Sequence, residues 1–196
     1  MTDDFSNIFP LSTTKVVKGS RRIAREKVLQ MLYAYRSSGE ETNLLFEHIH
    51  NRSFNFGDEE ELLQPSKILK PAEVIEIEAD VPIVWMKSDL IFLKKLFEKS
   101  LLCGDISDNI IKEIVSNWEI DRISPVEKIM IQIAYAEFVY FADVPPKVTI
   151  NESIEIVKAY STDKSGLFIN GLLDTILNRL KNEGLINKTG RGLKDK

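Results

Sequence analysis

The chain has 196 residues, one cysteine and a formal net charge of -4, with 43% apolar and 29% charged residues. That is enough for one compact domain or two small subdomains sharing a core, and too apolar for a disordered chain. A single Cys103 excludes disulfide scaffolds and cysteine-based zinc sites, and the acidic balance argues against a protein that coats nucleic acid with its whole surface.

No apolar run reaches the length of a membrane span, and the first residues carry no export signal, so a cytoplasmic protein is expected. Charge is localised. Between Lys15 and Arg36 lie seven basic residues against the single acid Glu26, and between Arg179 and Lys196 six against Glu183 and Asp195. Two basic ends thus flank an acidic body, a pattern suited to local contact with a polyanion.

In chain order, residues 1–19 hold no period, are interrupted by Pro10 and Gly19, and read as a flexible basic arm. Ser20 then offers an N-cap. Ala24, Val28, Met31, Leu32 and Tyr35 form an apolar helical stripe that Ser37-Ser38-Gly39 ends. The same rotation groups Arg22, Arg25, Tyr33 and Arg36 within roughly 80° on a flank expected to face solvent. Residues 40–82, with three prolines and the run Asp58-Glu59-Glu60-Glu61, read as an acidic insert in which Leu44, Leu45 and Ile49 suggest one short helix. Helical spacing returns from Asp89 to a stop at Gly104, and again from Ser107 to Trp118.

Ser124-Pro125 opens a further helix as N-cap and first helical residue. Its stretch 129–142 has only Gln132 and Glu137 as strongly polar members, which marks it as the central helix of a bundle. Asp143-Val144-Pro145-Pro146 forces a turn into a helix carrying Ile150, Ile154 and Val157. Thr162 or Asp163 caps a last helix running through Phe168 and Leu180 to Gly184. Gly171 inside it suggests close approach by another backbone. The expected fold is all-α: about seven helices in two small subdomains, 20–104 and 105–184, followed by a basic tail over 185–196.

Signatures of catalysis are missing, including phosphate-binding loops, dinucleotide turns and nucleophile elbows. His48 and His50 point their rings too far apart on a helix to share a metal. Cys103 reads as packing, and Glu152 and Glu155 as a hydrated helix face. No catalytic residue, metal or cofactor is therefore expected. Arginine offers phosphate a planar fork of donors, and tyrosine can stack on an unpaired base. Cations at a helix N-terminus oppose the macrodipole, so helix stability does not account for Arg21, Arg22 and Arg25. Single-stranded RNA fits this face best; an acidic protein partner and ordinary surface are the alternatives.

Arg21-Arg22-Ile23-Ala24-Arg25-Glu26 with Leu29-Gln30-Met31-Leu32-Tyr33 resembles the opening helix of the NusB family of transcription antitermination factors. Asp143-Val144-Pro145-Pro146-Lys147-Val148-Thr149-Ile150-Asn151-Glu152 and Phe168-Ile169-Asn170-Gly171-Leu172-Leu173-Asp174 are similar to that family's C-terminal signature. The resemblance covers 20–38 and 87–182. It implies a non-catalytic factor that binds boxA-like RNA together with ribosomal protein NusE, within the RNA polymerase antitermination complex on ribosomal RNA operons. Its implied RNA-binding residues here are Lys18, Arg21, Arg22, Arg25, Tyr33, Lys164 and Phe168, with Thr162 to Phe168 forming a second wall. Lys164 stands where the family usually has an acidic or polar residue, and Leu167 where Lys or Arg is common. A helical protein-binding scaffold or homodimer without RNA is the runner-up.

Overall fold

The computed structural model describes residues 17–39, 41–46, 49, 83–115, 122–161 and 163–193. The acidic run, both histidines and most of the expected arm and insert lie outside the described residues. Seven α-helices are found among the described ones: α1 (Arg21–Ser38), α2 (Thr42–Leu45), α3 (Lys87–Leu102), α4 (Gly104–Ile114), α5 (Pro125–Tyr140), α6 (Pro146–Tyr160) and α7 (Asp163–Asn182). The chain is all-α, as its periodicity indicates.

Local chemistry sets the helix ends. The Ile23 amide donates to Ser20 Oγ, and Gly39, at φ 68, closes α1 by donating its amide to the Tyr35 carbonyl. At α5 the Glu127 amide donates to Ser124 Oγ while the Ser124 amide donates to Glu127 Oε2, a reciprocal cap beside Pro125. Helix α5 is buried from Ile129 to Phe138 and packs against α1, α3, α4, α6 and α7, so it is the axis on which the others assemble. Each large apolar side chain buried there, such as Ile133 or Phe138, contributes roughly 1.5–3 kcal/mol of transfer free energy. Two polar groups interrupt that axis, and both serve as anchors. Gln132 donates to the Ser100 carbonyl at 2.6 Å and accepts from Arg36 at 2.6 Å, while Glu137 binds α1 through Arg25.

Two local expectations are corrected. The stop at Gly104 and restart at Ser107 is a single-residue corner at Cys103, and α4 begins at Gly104 itself; Ser107 Oγ donates to the Gly104 carbonyl inside its first turn. Gly171 is exposed and a Cβ there would meet nothing within 4 Å, because α7 packs through Ile169, Leu172, Leu173, Ile176, Leu177 and Leu180. Asn170 is likewise exposed. The tighter glycine of α7 is buried Gly166, where a Cβ would stand 3.1 Å from the Lys158 side chain and the nearest atoms belong to side chains, not to another backbone.

Two short strands also occur, β1 (Val17–Lys18) and β2 (Ile83–Val84), paired in parallel. The Gly19 amide extends the pair by donating to the Val84 carbonyl at 2.8 Å, and Gly19 lies so close under Trp85 that a Cβ would fall 2.5 Å from its ring. This fixes the approach of the chain to α1. No helix among the described residues is long and apolar enough to cross a membrane.

Candidate nucleic-acid interface

Helix α1 begins with three arginines in two turns, and each has a different environment. Arg22 is exposed and reaches across to α6, donating from Nε and Nη2 to the two carboxylate oxygens of Glu152 at 2.8 and 3.0 Å. Its hydrogen bonds and charge hold the Glu152 carboxyl below the usual carboxylate range despite partial burial. Arg21 donates from both terminal nitrogens to Asp143 Oδ2 at 3.3 Å, with its guanidinium 4.8 Å from the centre of the Phe92 ring.

Arg25 is not on the surface. It is 2% exposed and lies beside the same Phe92 ring. Its Nε and Nη2 donate to the two oxygens of Glu137, and its Nη1 to the Arg21 carbonyl. Glu137 is fully buried and also accepts from Thr149 Oγ1 at 2.8 Å. The solvent-facing flank expected to hold Arg22, Arg25, Tyr33 and Arg36 is therefore split. Arg25 is buried against α5, Arg36 is exposed but donates to Gln132 of α5 and Asp108 of α4, and Arg22 and Tyr33 are exposed. Sequence spacing groups residues on a flank but does not say which neighbour covers it. The usable signal was Glu137, the one acid within the apolar stretch 129–142, which demands a buried cation.

Ser20, Arg21, Arg22, Val148 and Glu152 line a depression of about 390 Å³, joined from the far end of the chain by Arg191. Arg191 arrives because the tail doubles back. Lys188 donates to the carbonyls of Glu137 and Phe141 at 3.0 and 2.9 Å, and the Thr189 amide to the Ala142 carbonyl at 2.9 Å. The turn Gly190–Leu193 then presses Gly192 onto that same carbonyl, where a Cβ would fall 2.0 Å from the oxygen. The two basic ends of the chain thus meet. Arg191 was visible in sequence only as part of a basic tail, without a reason to join this site. Lys18, exposed on β1, precedes the depression by two residues.

Tyr33 and Tyr160 border a second, mostly apolar depression with Leu29, Ala34 and Val126. Gln30 Nε2 donates to the Tyr160 hydroxyl at 3.2 Å, and burial raises that phenol above its ordinary value. The Arg22–Glu152 and Gln30–Tyr160 bridges advance by eight residues on both helices, so α1 and α6 run side by side in the same direction, about 12 Å from one bridge to the next. Lys164 and Phe168, with Arg122, Ile123, Glu127 and Ser165, border a third depression. It adjoins the second at the first turn of α5, where Val126 and Glu127 are neighbours. The structure therefore strings the nominated residues along a surface instead of gathering them at one point, with Arg25 beneath it. Thr162 and the side chain of Asp163 lie outside the described residues.

This surface offers guanidiniums, an ammonium and partly exposed rings, the groups that hold phosphates and stack on bases. Cys103 is fully buried, and burial pushes its thiol up to about 11, so it is a packing group in the folded protein.

Comparison with known proteins supplies the context. Residues 87–178 match the model of the NusB family. Across 174 residues the chain is 37% identical to the transcription antitermination protein NusB of Salinibacter ruber, covering 89% of this chain and 91% of that protein. Across 176 residues it is 37% identical to the NusB of Chloroherpeton thalassium, covering 90% and 70%. Among solved structures, T. maritima NusB shares the fold with a TM-score of 0.59 at 24% identity, over 83% of this chain and 93% of that one. A chain of the crystal structure of the antitermination factors NusB and NusE in complex with double-stranded RNA superposes with a TM-score of 0.57 at 24% identity, over 81% and 96%.

Proposed function

Because the chain belongs to the NusB family of transcription antitermination proteins, we propose that it is a non-catalytic RNA-binding factor. It takes an unpaired boxA-like segment of nascent ribosomal RNA together with ribosomal protein NusE and acts within the antitermination complex of RNA polymerase. The observation that carries this reading is the convergence of Arg21, Arg22 and Arg191, from opposite ends of the sequence, on one depression.

Phosphates are held at that depression, with Lys18 at its approach. The strand continues along the α1–α6 seam, where Tyr33 offers a ring for stacking at about 16 Å from Arg22 along the helix axis. It ends at Lys164 and Phe168. Arg25 does not touch RNA; through Glu137 it fixes α1 on α5 and so sets where Arg21 and Arg22 stand. Phosphate contacts make the affinity fall with salt, while selectivity comes from unpaired bases.

Electrophoretic shift with a boxA-like oligoribonucleotide and a scrambled control, with and without NusE, tests the reading. The expected result is a selective shift of the first RNA, strengthened by NusE. Equal or absent shifts with both RNAs would reject it.

A further inference from the structure

Two of the arginines proposed to meet phosphate, Arg21 and Arg22, are already occupied. Glu152 spends both carboxylate oxygens on Nε and Nη2 of Arg22, the edge of the guanidinium that best matches two oxygens of a phosphate. Asp143 takes both terminal nitrogens of Arg21 on one oxygen, in longer and more exposed contacts. Of the four arginines lining the depression, Arg21 and Arg22 are thus neutralised at its surface and Arg25 beneath it in the free protein. Among the described residues Arg191 is the one there with no carboxylate partner. The Arg21–Asp143 pair is exposed on both sides and the Arg22–Glu152 pair is exposed at its arginine, so each adds only modestly to stability.

We infer that Asp143 and Glu152 are specificity-determining residues: by pairing with Arg21 and Arg22 they suppress capture of arbitrary polyanions, and only an RNA that gains further contacts along the α1–α6 seam displaces them. A phosphate entering the depression exchanges one anionic partner of each arginine for another. That exchange is close to balanced, so phosphates alone gain little. The surplus has to come from base contacts beyond the depression, at Tyr33 and past it. Placing an unfavourable competitor against the wrong ligand is the repulsive half of a specific interface. Arg21, with the looser pair, yields first, and the two-point Arg22–Glu152 pair second. The inference rests on the RNA-binding reading above.

Asp143→Asn and Glu152→Gln keep shape and remove charge. The test uses the full chain with each substitution alone and with both, and follows fluorescence anisotropy with two probes over a salt series: a boxA-like oligoribonucleotide and an oligouridylate of equal length. The double variant is expected to bind oligouridylate roughly tenfold more tightly and the boxA-like RNA about threefold more tightly, with each salt slope steeper by up to about 1.4. Discrimination therefore falls. Oligouridylate binding that is unchanged or weaker in single variants of parental thermal midpoint, or an equal gain on both probes, overturns the inference. Arg22→Ala in the same series separates the two levels. If it weakens binding of the boxA-like RNA while the amides loosen nothing, the specificity role alone fails. If it leaves binding untouched, the RNA-binding reading fails with it.

Discussion

Replacing Arg25 with alanine should damage the fold more than the interface. Arg25 is 2% exposed, and its guanidinium supplies two of the three side-chain hydrogen bonds that reach the Glu137 carboxylate, the third coming from Thr149. Each such charge-assisted bond is worth about 1.5–3 kcal/mol net. Its loss also leaves a buried carboxylate without its counter-charge, which places the total at about 3–5 kcal/mol. A urea titration followed by circular dichroism should show the midpoint fall without a change in slope. Arg25→Met combined with Glu137→Leu should recover most of the loss, because a buried pair replaced by apolar groups of similar volume is often neutral. Under conditions where Arg25→Ala stays folded, its salt slope for RNA should match the parent. A destabilisation below about 1 kcal/mol, or a slope reduced by about 0.7, would refute the assignment of Arg25 as a positioning residue and return it to the phosphate-binding surface.

Gly171→Ala should stabilise the protein by up to about 1 kcal/mol in thermal or urea unfolding, since the added methyl meets nothing and helix propensity improves; a loss would mean that a backbone does pack there. Gly192→Ala should push the Gly190–Leu193 turn off Ala142, accelerating amide exchange at Thr189 and Gly192 and weakening RNA binding by removing Arg191 from the depression. Glu26 carries the opposite pH signature to Glu152. Burial raises its carboxyl, so its ionised form opposes folding at neutral pH and the penalty vanishes on acidification, whereas the Glu152 contribution is present at neutral pH and fades as pH falls through its lowered value. Glu26→Gln should therefore raise the melting temperature at pH 7, with the gain disappearing near pH 4, and Glu152→Gln should show no such gain.

Much of the fold was readable because its signals are local. Ser20, Ser124-Pro125 with Glu127, Gly39 and the double proline at 145–146 set helix ends through contacts within a few residues. The apolar run of α5 declared the central helix by its lack of a polar face. What escaped depends on neighbours distant in sequence. The burial of Arg25 is decided by α5 crossing its flank, and the position of Arg191 by a tail that folds back on Ala142. The parallel pair of β1 and β2 is two residues per strand, too short for any alternation to register. At the site, sequence reading found the basic residues and the exposed rings but not the acids facing them. Asp143 and Glu152 stood in plain view within the family signature, yet only coordinates place them against Arg21 and Arg22.

The most direct test of the account is the salt dependence of RNA binding for Arg21→Ala/Arg22→Ala against the parent, measured on a boxA-like single strand with NusE present. The account predicts weaker binding and a slope shallower by up to about 1.4, for two lost phosphate contacts, with the melting temperature little changed. A parental slope and affinity in the folded double variant would contradict it.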